Sequence, residues 1–227
     1  HRKYTKYGDR TNASVALEHT MNIERISLSA GVLMNHNTIE NGKYKFFPSV
    51  SMSYRPADKI NIYTSWSNST RMPTFTDLGY TTETHEGNDG LKPEKSQAVD
   101  LGVKYNNTYL SVYATGFLMW GRNIIDWVKV TVDGKPKSAS WNHTKLNTQG
   151  VEMGVKLKLT EFLPILGENA YVALDYARMH QDVNTGNYTS EFALQYLRDK
   201  FTTQFNHQIY RGLSASWYLR FQKRMGT

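Results

Sequence analysis

The residues best placed to do chemistry lie between Ser67 and Gly102, in the polar stretch SNSTRMPTFTDLGYTTETHEGNDGLKPEKSQAVDLG. Arg71, Asp77, Lys92 and Glu94 supply charges of both signs there, Pro73 and Pro93 fix φ, and Gly79, Gly87 and Gly90 permit positive φ. A connection of roughly 25 residues is uncommon in a compact domain and is usually functional or disordered. The punctuation points to an ordered loop. A buried charge without its partner costs several kcal/mol, so Arg71, Asp77 and Glu94 are expected to form a polar network that fixes the loop against its neighbours. His85 lies inside this loop, and Trp141 and His143 lie in the next long polar stretch; these three are the candidate ligand contacts.

Other chemistry finds no setting. His19, His36, His85, His143, His180 and His207 do not fall at metal-ligand spacing, so each reads as a packed or surface histidine, and neither metal nor cofactor is expected. No Ser, His and Asp stand in a recognisable nucleophile arrangement, and no Gly-rich segment follows a strand and opens a helix. The chain has no cysteine, which removes disulfides, thiolate metal sites and thiol nucleophiles. It does not read as an enzyme. The net charge of +7 comes from scattered Lys and Arg with no basic stripe on a matching motif, so nucleic acid is not an expected partner.

The order of residues in the loop carries a resemblance. Arg71, Pro73, Thr74, Phe75, Asp77 and Leu78 are followed, after an interval, by Gly87, Asn88, Leu91, Lys92, Pro93, Glu94 and Ser96, and finally by Asp100 and Gly102. This resembles the signature of the C-terminal barrel half of TonB-dependent outer-membrane receptors. Met72 stands where that family often has a small residue, Gly79 where it often has Tyr, and Asp100 where it usually has Glu. The resemblance implies a 22-stranded barrel in the outer membrane of a Gram-negative bacterium, surrounding an N-terminal plug that carries the TonB-contacting segment. It implies uptake of a scarce large ligand, first a ferric siderophore, then cobalamin or haem. In haem receptors of that superfamily a histidine between the two blocks can ligate iron, which is why His85 matters. Their blocks read Phe-Arg-Ala-Pro and Asn-Pro-Asn-Leu, against Thr70-Arg71-Met72-Pro73 and Asn88-Asp89-Gly90-Leu91 here.

The elements that must position this loop are strands. A period of 2 runs through almost the whole chain and predicts about ten of them, in an all-β, antiparallel transmembrane barrel segment. Short turns are expected near Asn22, Pro56, Asn106, Glu161 to Asn169 and Arg211-Gly212, and long loops over Asn35 to Lys45, Ser67 to Lys95, Gly121 to Asn147 and Gln181 to Glu191. This alternation puts every long loop at one end, as in outer-membrane barrels. No apolar run approaches the ~20 residues of a membrane-spanning helix. One face of each strand is apolar and the other is small and hydroxylated. Tyr44, Phe46, Trp66, Trp120 and Trp217 are candidate girdle residues, with outer-membrane lipid and lipopolysaccharide as the expected surroundings. Lys104, Lys156, Lys158 and Arg220 fall on lumen-facing positions, where they would attract an anionic ligand or pair with the plug. By strand parity, residues 1–227 are expected to be part of a larger barrel with further strands to follow, and the resemblance implies that the plug belongs to the rest of the protein. A passive porin, an adhesive barrel and a soluble carbohydrate-binding sandwich are the competing readings.

Overall fold

The computed structural model describes residues 9–38, 42–132, 134–184, 189–190 and 196–225. Long strands follow one another: β1 Asn12–Ile23, β2 Ile26–Asn37, β3 Tyr44–Ala57 and β4 Ile60–Arg71. The organising loop then holds a one-turn helix, α1 Phe75–Gly79, and a short strand, β5 His85–Glu86. Beyond it come β6 Glu94–Asn106, β7 Leu110–Val132, β8 Lys135–Lys158, β9 Tyr171–Asn184, the two-residue β10 Thr189–Ser190, β11 Leu197–Tyr210 and β12 Leu213–Arg224. Ten of these form an antiparallel meander in the order β1-β2-β3-β4-β6-β7-β8-β9-β11-β12.

The count of ten describes the meander, and the sheet itself has twelve strands because β10 pairs with β7 and β5 pairs with β8. Two-residue strands are too short to show a period, so alternation had no means of announcing them. A larger correction concerns the stretch read as a loop from Gly121 to Asn147. It is the outer half of one continuous hairpin, with β7 and β8 paired from Leu110↔Leu157 to Val132↔Lys135. Residues rich in β-branched side chains, Ile124, Ile125, Val128, Val130 and Thr131, sustain that arm. Asn123 takes a left-handed φ of 55°, and the ladder passes from Arg122↔Lys145 to Ile124↔His143, skipping Asn123 and Thr144. Asn123 therefore marks a disruption inside the hairpin.

The remaining loops are also shorter than the alternation suggested. β2 reaches Asn37 and β3 resumes at Tyr44, while β4 and β6 run to Arg71 and from Glu94. The expected Gln181 to Glu191 loop lies partly outside the described residues, and its described portion extends β9 to Asn184 and adds β10.

Register fixes the two faces. On one, Leu28↔Met52, Val50↔Trp66, Trp66↔Val99, Val103↔Ala114, Ala114↔Met153, Val155↔Leu174, Phe201↔Phe221 and Phe205↔Trp217 form continuous apolar rows. The other carries Ser27↔Ser53, Ser29↔Ser51, Ser51↔Ser65 and Asn206↔Ser216. Large apolar side chains on the first face stay open, such as Leu17 at 72% and Trp217 at 63% exposed. Side chains on the polar face find one another instead: Tyr63 Oη shares a hydrogen bond with Thr115 Oγ1 at 2.6 Å, and Tyr113 Oη donates to Asp175 Oδ1 at 2.9 Å. The buried apolar residues Leu91, Ile125, Val128 and Ala139 gather where the organising loop meets the β7–β8 hairpin.

Candidate functional site

The loop leaves β4 at Arg71 and re-enters β6 at Glu94, and these two are direct Cα partners in the ladder. Opposite charges at directly opposed positions attract across a strand pair. Arg71 Nε donates to Glu94 Oε2 at 2.8 Å and Nη2 donates to Oε1, so the guanidinium grips the carboxylate at two points. Glu94 Oε1 also accepts from the Ile125 N–H of β7 at 2.7 Å. The hydrogen bond to Glu94, with the charges of Glu94 and Asp77 behind it, holds the Arg71 guanidinium above its ordinary pKa against the opposing effect of burial.

Asp77 is the second node. Thr74-x-x-Asp77 forms a capping box at the start of α1: Thr74 N–H donates to Asp77 Oδ2 at 2.9 Å, and Asp77 N–H donates to Thr74 Oγ1 at 3.1 Å. This reciprocal pair satisfies two N–H groups that a helix start leaves without partners. The Asp77 carboxylate is nearly buried and lies 3.7 Å from Arg71 Nη1. Its carbonyl accepts from Asn88 N–H at 2.9 Å and from Ser140 Oγ of β8 at 2.5 Å. Arg71, Asp77 and Glu94 thus come together, and they tie β4, α1, β6 and the hairpin into one unit.

The other motif residues shape the loop's return. Gly87 N–H donates to Tyr80 C=O at 2.8 Å, and a Cβ at Gly87 would lie 2.8 Å from Tyr80 N and 2.9 Å from Gly79 N. Only glycine allows that approach of backbone to backbone. Asn88 Oδ1 accepts from Gly90 N–H at 2.9 Å in a local turn. Pro73 and Leu91 are buried, and Pro93 is half-buried one residue before β6.

His85 stands on β5, which lies parallel to β8 through His85↔Ser138. Its ring meets Trp127 at 5.5 Å and Tyr80 at 5.8 Å, both edge-on, and its Nδ1 lies 2.9 Å from Thr84 Oγ1. Trp141 sits on β8 opposite Asp126 and is 39% exposed. His143 pairs with Ile124 through the backbone, and its side chain lies outside the described residues. Trp141 and His143 are strand residues, three and five places along β8 from the partner of His85. Among the described residues no group of three His, Cys, Asp or Glu is arranged to hold a metal ion.

Three residues central to this geometry escaped the sequence reading. Asn142 of β8 clamps the loop by accepting from Lys92 N–H at 2.8 Å and donating to Lys92 C=O at 2.9 Å and Asn123 C=O at 2.7 Å. Ser140 holds Asp77 as described. Arg10, just before β1, donates to Pro73 C=O at 2.8 Å and lies over the Phe75 ring at 5.2 Å. The capping box forms between Thr74 and Asp77, three residues apart, and needs no distant partner.

The sequence matches the family described as TonB dependent receptor-like, beta-barrel, over residues 2–224. Among solved structures, the siderophore receptor PirA from Pseudomonas aeruginosa shares the fold with a TM-score of 0.74 at 14% identity, covering 97% of this chain and 39% of that one. A mutant of the ferric enterobactin receptor PfeA from the same organism gives 0.72 at 20% identity, over 94% of this chain and 32% of that one. The copper transporter OprC gives 0.66 at 17% identity, over 88% and 33%. The chain thus spans between about a third and two fifths of the length of these structures.

Proposed function

Because the chain belongs to the TonB-dependent receptor-like β-barrel family, we propose that it is a section of the wall of an energised outer-membrane transporter. In the whole protein a barrel of about 22 strands surrounds a plug, and contact between the plug and TonB drives release of a ligand captured at the cell surface. The ligand is a ferric siderophore. Support for that choice comes from the siderophore and ferric enterobactin receptors that share the fold, and from Lys104, Lys156 and Arg220 on the polar face, which raise the local potential for an anionic ligand. The observation that carries the reading is the family match over residues 2–224.

The two-faced register is what such a wall requires. Apolar rows meet lipid, where a Lys or Arg at the bilayer midplane costs about 2 to 4 kcal/mol, and hydroxylated rows meet a polar interior. The Arg71–Asp77–Glu94 network fixes a long extracellular loop to the extended β7–β8 hairpin, so that the two present one surface to the ligand. His85 packs edge-on between Tyr80 and Trp127, which favours a positioning role for its ring over haem ligation.

Uptake of radiolabelled ferric siderophore by cells carrying the full-length receptor tests the proposal. Saturable uptake that disappears when TonB is deleted is the expected result. Uptake that persists unchanged without TonB would make the protein a passive porin.

A further inference from the structure

On the wall side of Asn123 the β7–β8 hairpin has the neighbours that strand order dictates: β6 lies along β7 as far as Lys95↔Arg122, and β9 lies along β8 as far as Lys145↔Asn184. Beyond Asn123 the neighbours are exchanged. β5, from the connection that leads into β6, pairs with β8 through His85↔Ser138 and Glu86↔Ala139, and β10, from the connection that follows β9, pairs with β7 through Thr189↔Lys129 and Ser190↔Val128. The hairpin therefore turns about its own axis between Arg122 and Val128, far enough to present each edge to the connection from the other side. A two-stranded ribbon twists more strongly than a wide sheet, and Asn123, with its left-handed φ and the skipped pair beside it, stands where the turn begins.

Two rows of Cα partners cross the resulting outer sheet, Ser190–Val128–Ala139–Glu86 and Thr189–Lys129–Ser138–His85. At the centre of the first row stand two of the most buried apolar side chains among the described residues, Val128, fully enclosed, and Ala139, 6% exposed. Beside the second row the rings of Trp127 and His85 meet edge-on. Ser138 N–H donates to Thr84 C=O at 2.8 Å, and Lys137 Nζ lies 3.2 Å from Glu86 Oε2, so β5 is held to β8 by backbone and side chain together. An isolated two-stranded hairpin is marginal in water, and three or more strands are needed for independent stability. The outer half of β7 and β8 thus depends on the strand at each of its edges, and each of those two-residue strands depends on the hairpin. Losing either one uncovers the centre that seats the other.

We propose that the outer sheet β10-β7-β8-β5 is a coupling device, in which β5 and β10 dock and release together as one cooperative unit. Proteins open locally in such contiguous units, at a free energy below that of global unfolding. The residues around β5 and those of β10 belong to different connections and share no pairing with each other, so the hairpin between them is what carries the coupling. A ligand that holds β5 in place then also holds β10, without touching it, and by linkage the reverse is true to the same degree. This coupling follows from the pairing pattern and is the same whichever ligand the protein carries.

Hydrogen exchange of the full-length protein without ligand, read by mass spectrometry, tests the coupling from both edges. Ser138→Pro removes the N–H that β8 gives to β5 and spares the β7–β8 ladder, because that N–H points away from β7. Relative to Ser138→Ala, which keeps the N–H, residues 80–87 should exchange about tenfold faster, as the loss of one hydrogen bond implies. Thr189, Ser190 and Lys129, across the hairpin, should accelerate by a similar factor. Since Ser138 bonds to β5, its partner Lys129 directs its own N–H to the β10 edge. Lys129→Pro, set against Lys129→Ala, is therefore the reciprocal cut, and residues 84–86 should accelerate in it together with residues 189–190. Residues 96–104 and 150–157 of the wall should exchange as in wild type in both variants. Acceleration confined to the edge that was cut would overturn the coupling. Acceleration that spreads into the wall strands would overturn the outer sheet as a unit separate from the barrel.

Discussion

Arg71 and Glu94 face each other across the last rung of β4 and β6, so their ion pair closes the base of the loop. With Arg71 about half exposed, solvent screens the pair, and its contribution is on the order of 1 kcal/mol or less. Asp77 matters more, because it closes the α1 capping box, neighbours Arg71 and is nearly buried. Asp77→Ala should destabilise the loop by about 1 to 2 kcal/mol and lower the amount of assembled receptor more than it lowers affinity per assembled molecule. Quantifying heat-modifiable barrel beside ligand binding checks this; normal assembly with abolished binding would reverse the assignment. Asn142→Ala removes three hydrogen bonds to backbone groups of the loop and hairpin, each worth about 1 kcal/mol. Faster hydrogen exchange confined to residues 88–93 is its expected signature. Asn142 was not legible in the sequence, although Arg71, Asp77 and Glu94 were. Those three are charges inside a polar loop with a recognisable order, a local signal. Asn142 and Ser140 act on partners 50 and 63 positions away, and nothing in their immediate neighbours marks them.

At the scale of the strands, alternation told almost everything about the meander and little about the β7–β8 extension. The ladder of ten strands and its two faces follow from a period of 2, and a slip of one residue would turn every apolar side chain inward. Cysteine scanning of β12 in membranes should therefore alternate, with a water-soluble reagent reaching positions 214, 216 and 218 and sparing 215, 217 and 219. Equal labelling of both sets would remove β12 from a barrel wall. The outward face makes a second test. Val103→Lys places a charge between Ile62 and Ala114, and should cost about 2 to 4 kcal/mol if that rung lies near the bilayer midplane; the native Lys104, on the opposite face, is tolerated. Measured recovery of folded barrel should fall for Val103→Lys and hold for Lys104→Ala. The hairpin was read as a long loop holding Trp127, Asp133-Gly134, Trp141 and His143; Asn123 disrupts the ladder locally, and the β-branched residues after it restore the pairing.

Among the described residues the ends of the strand order are β1 and β12. Each carries there a row of backbone groups without a paired strand and an outward face of large apolar side chains such as Leu17, Trp217 and Phe221. Unpaired edges with an apolar face join whatever they meet. The two edges can close on each other only if strand number, tilt and stagger agree, and a wall whose polar face suits a wide interior would have to fit a much narrower one. The bulky inward side chains make that harder: Tyr63, Tyr113 and Phe117 lie directly over Gly102, Gly154 and Gly150 of the adjacent strand, an arrangement set for the present curvature. Residues 1–227 expressed alone are therefore expected to be aggregated or detergent-dependent and inactive in uptake. Size-exclusion chromatography with and without detergent, followed by a siderophore-binding assay, decides the matter. A monodisperse, detergent-free species that binds ligand would show that the apolar rows do not need lipid, and the barrel-wall assignment would have to give way to a soluble sandwich.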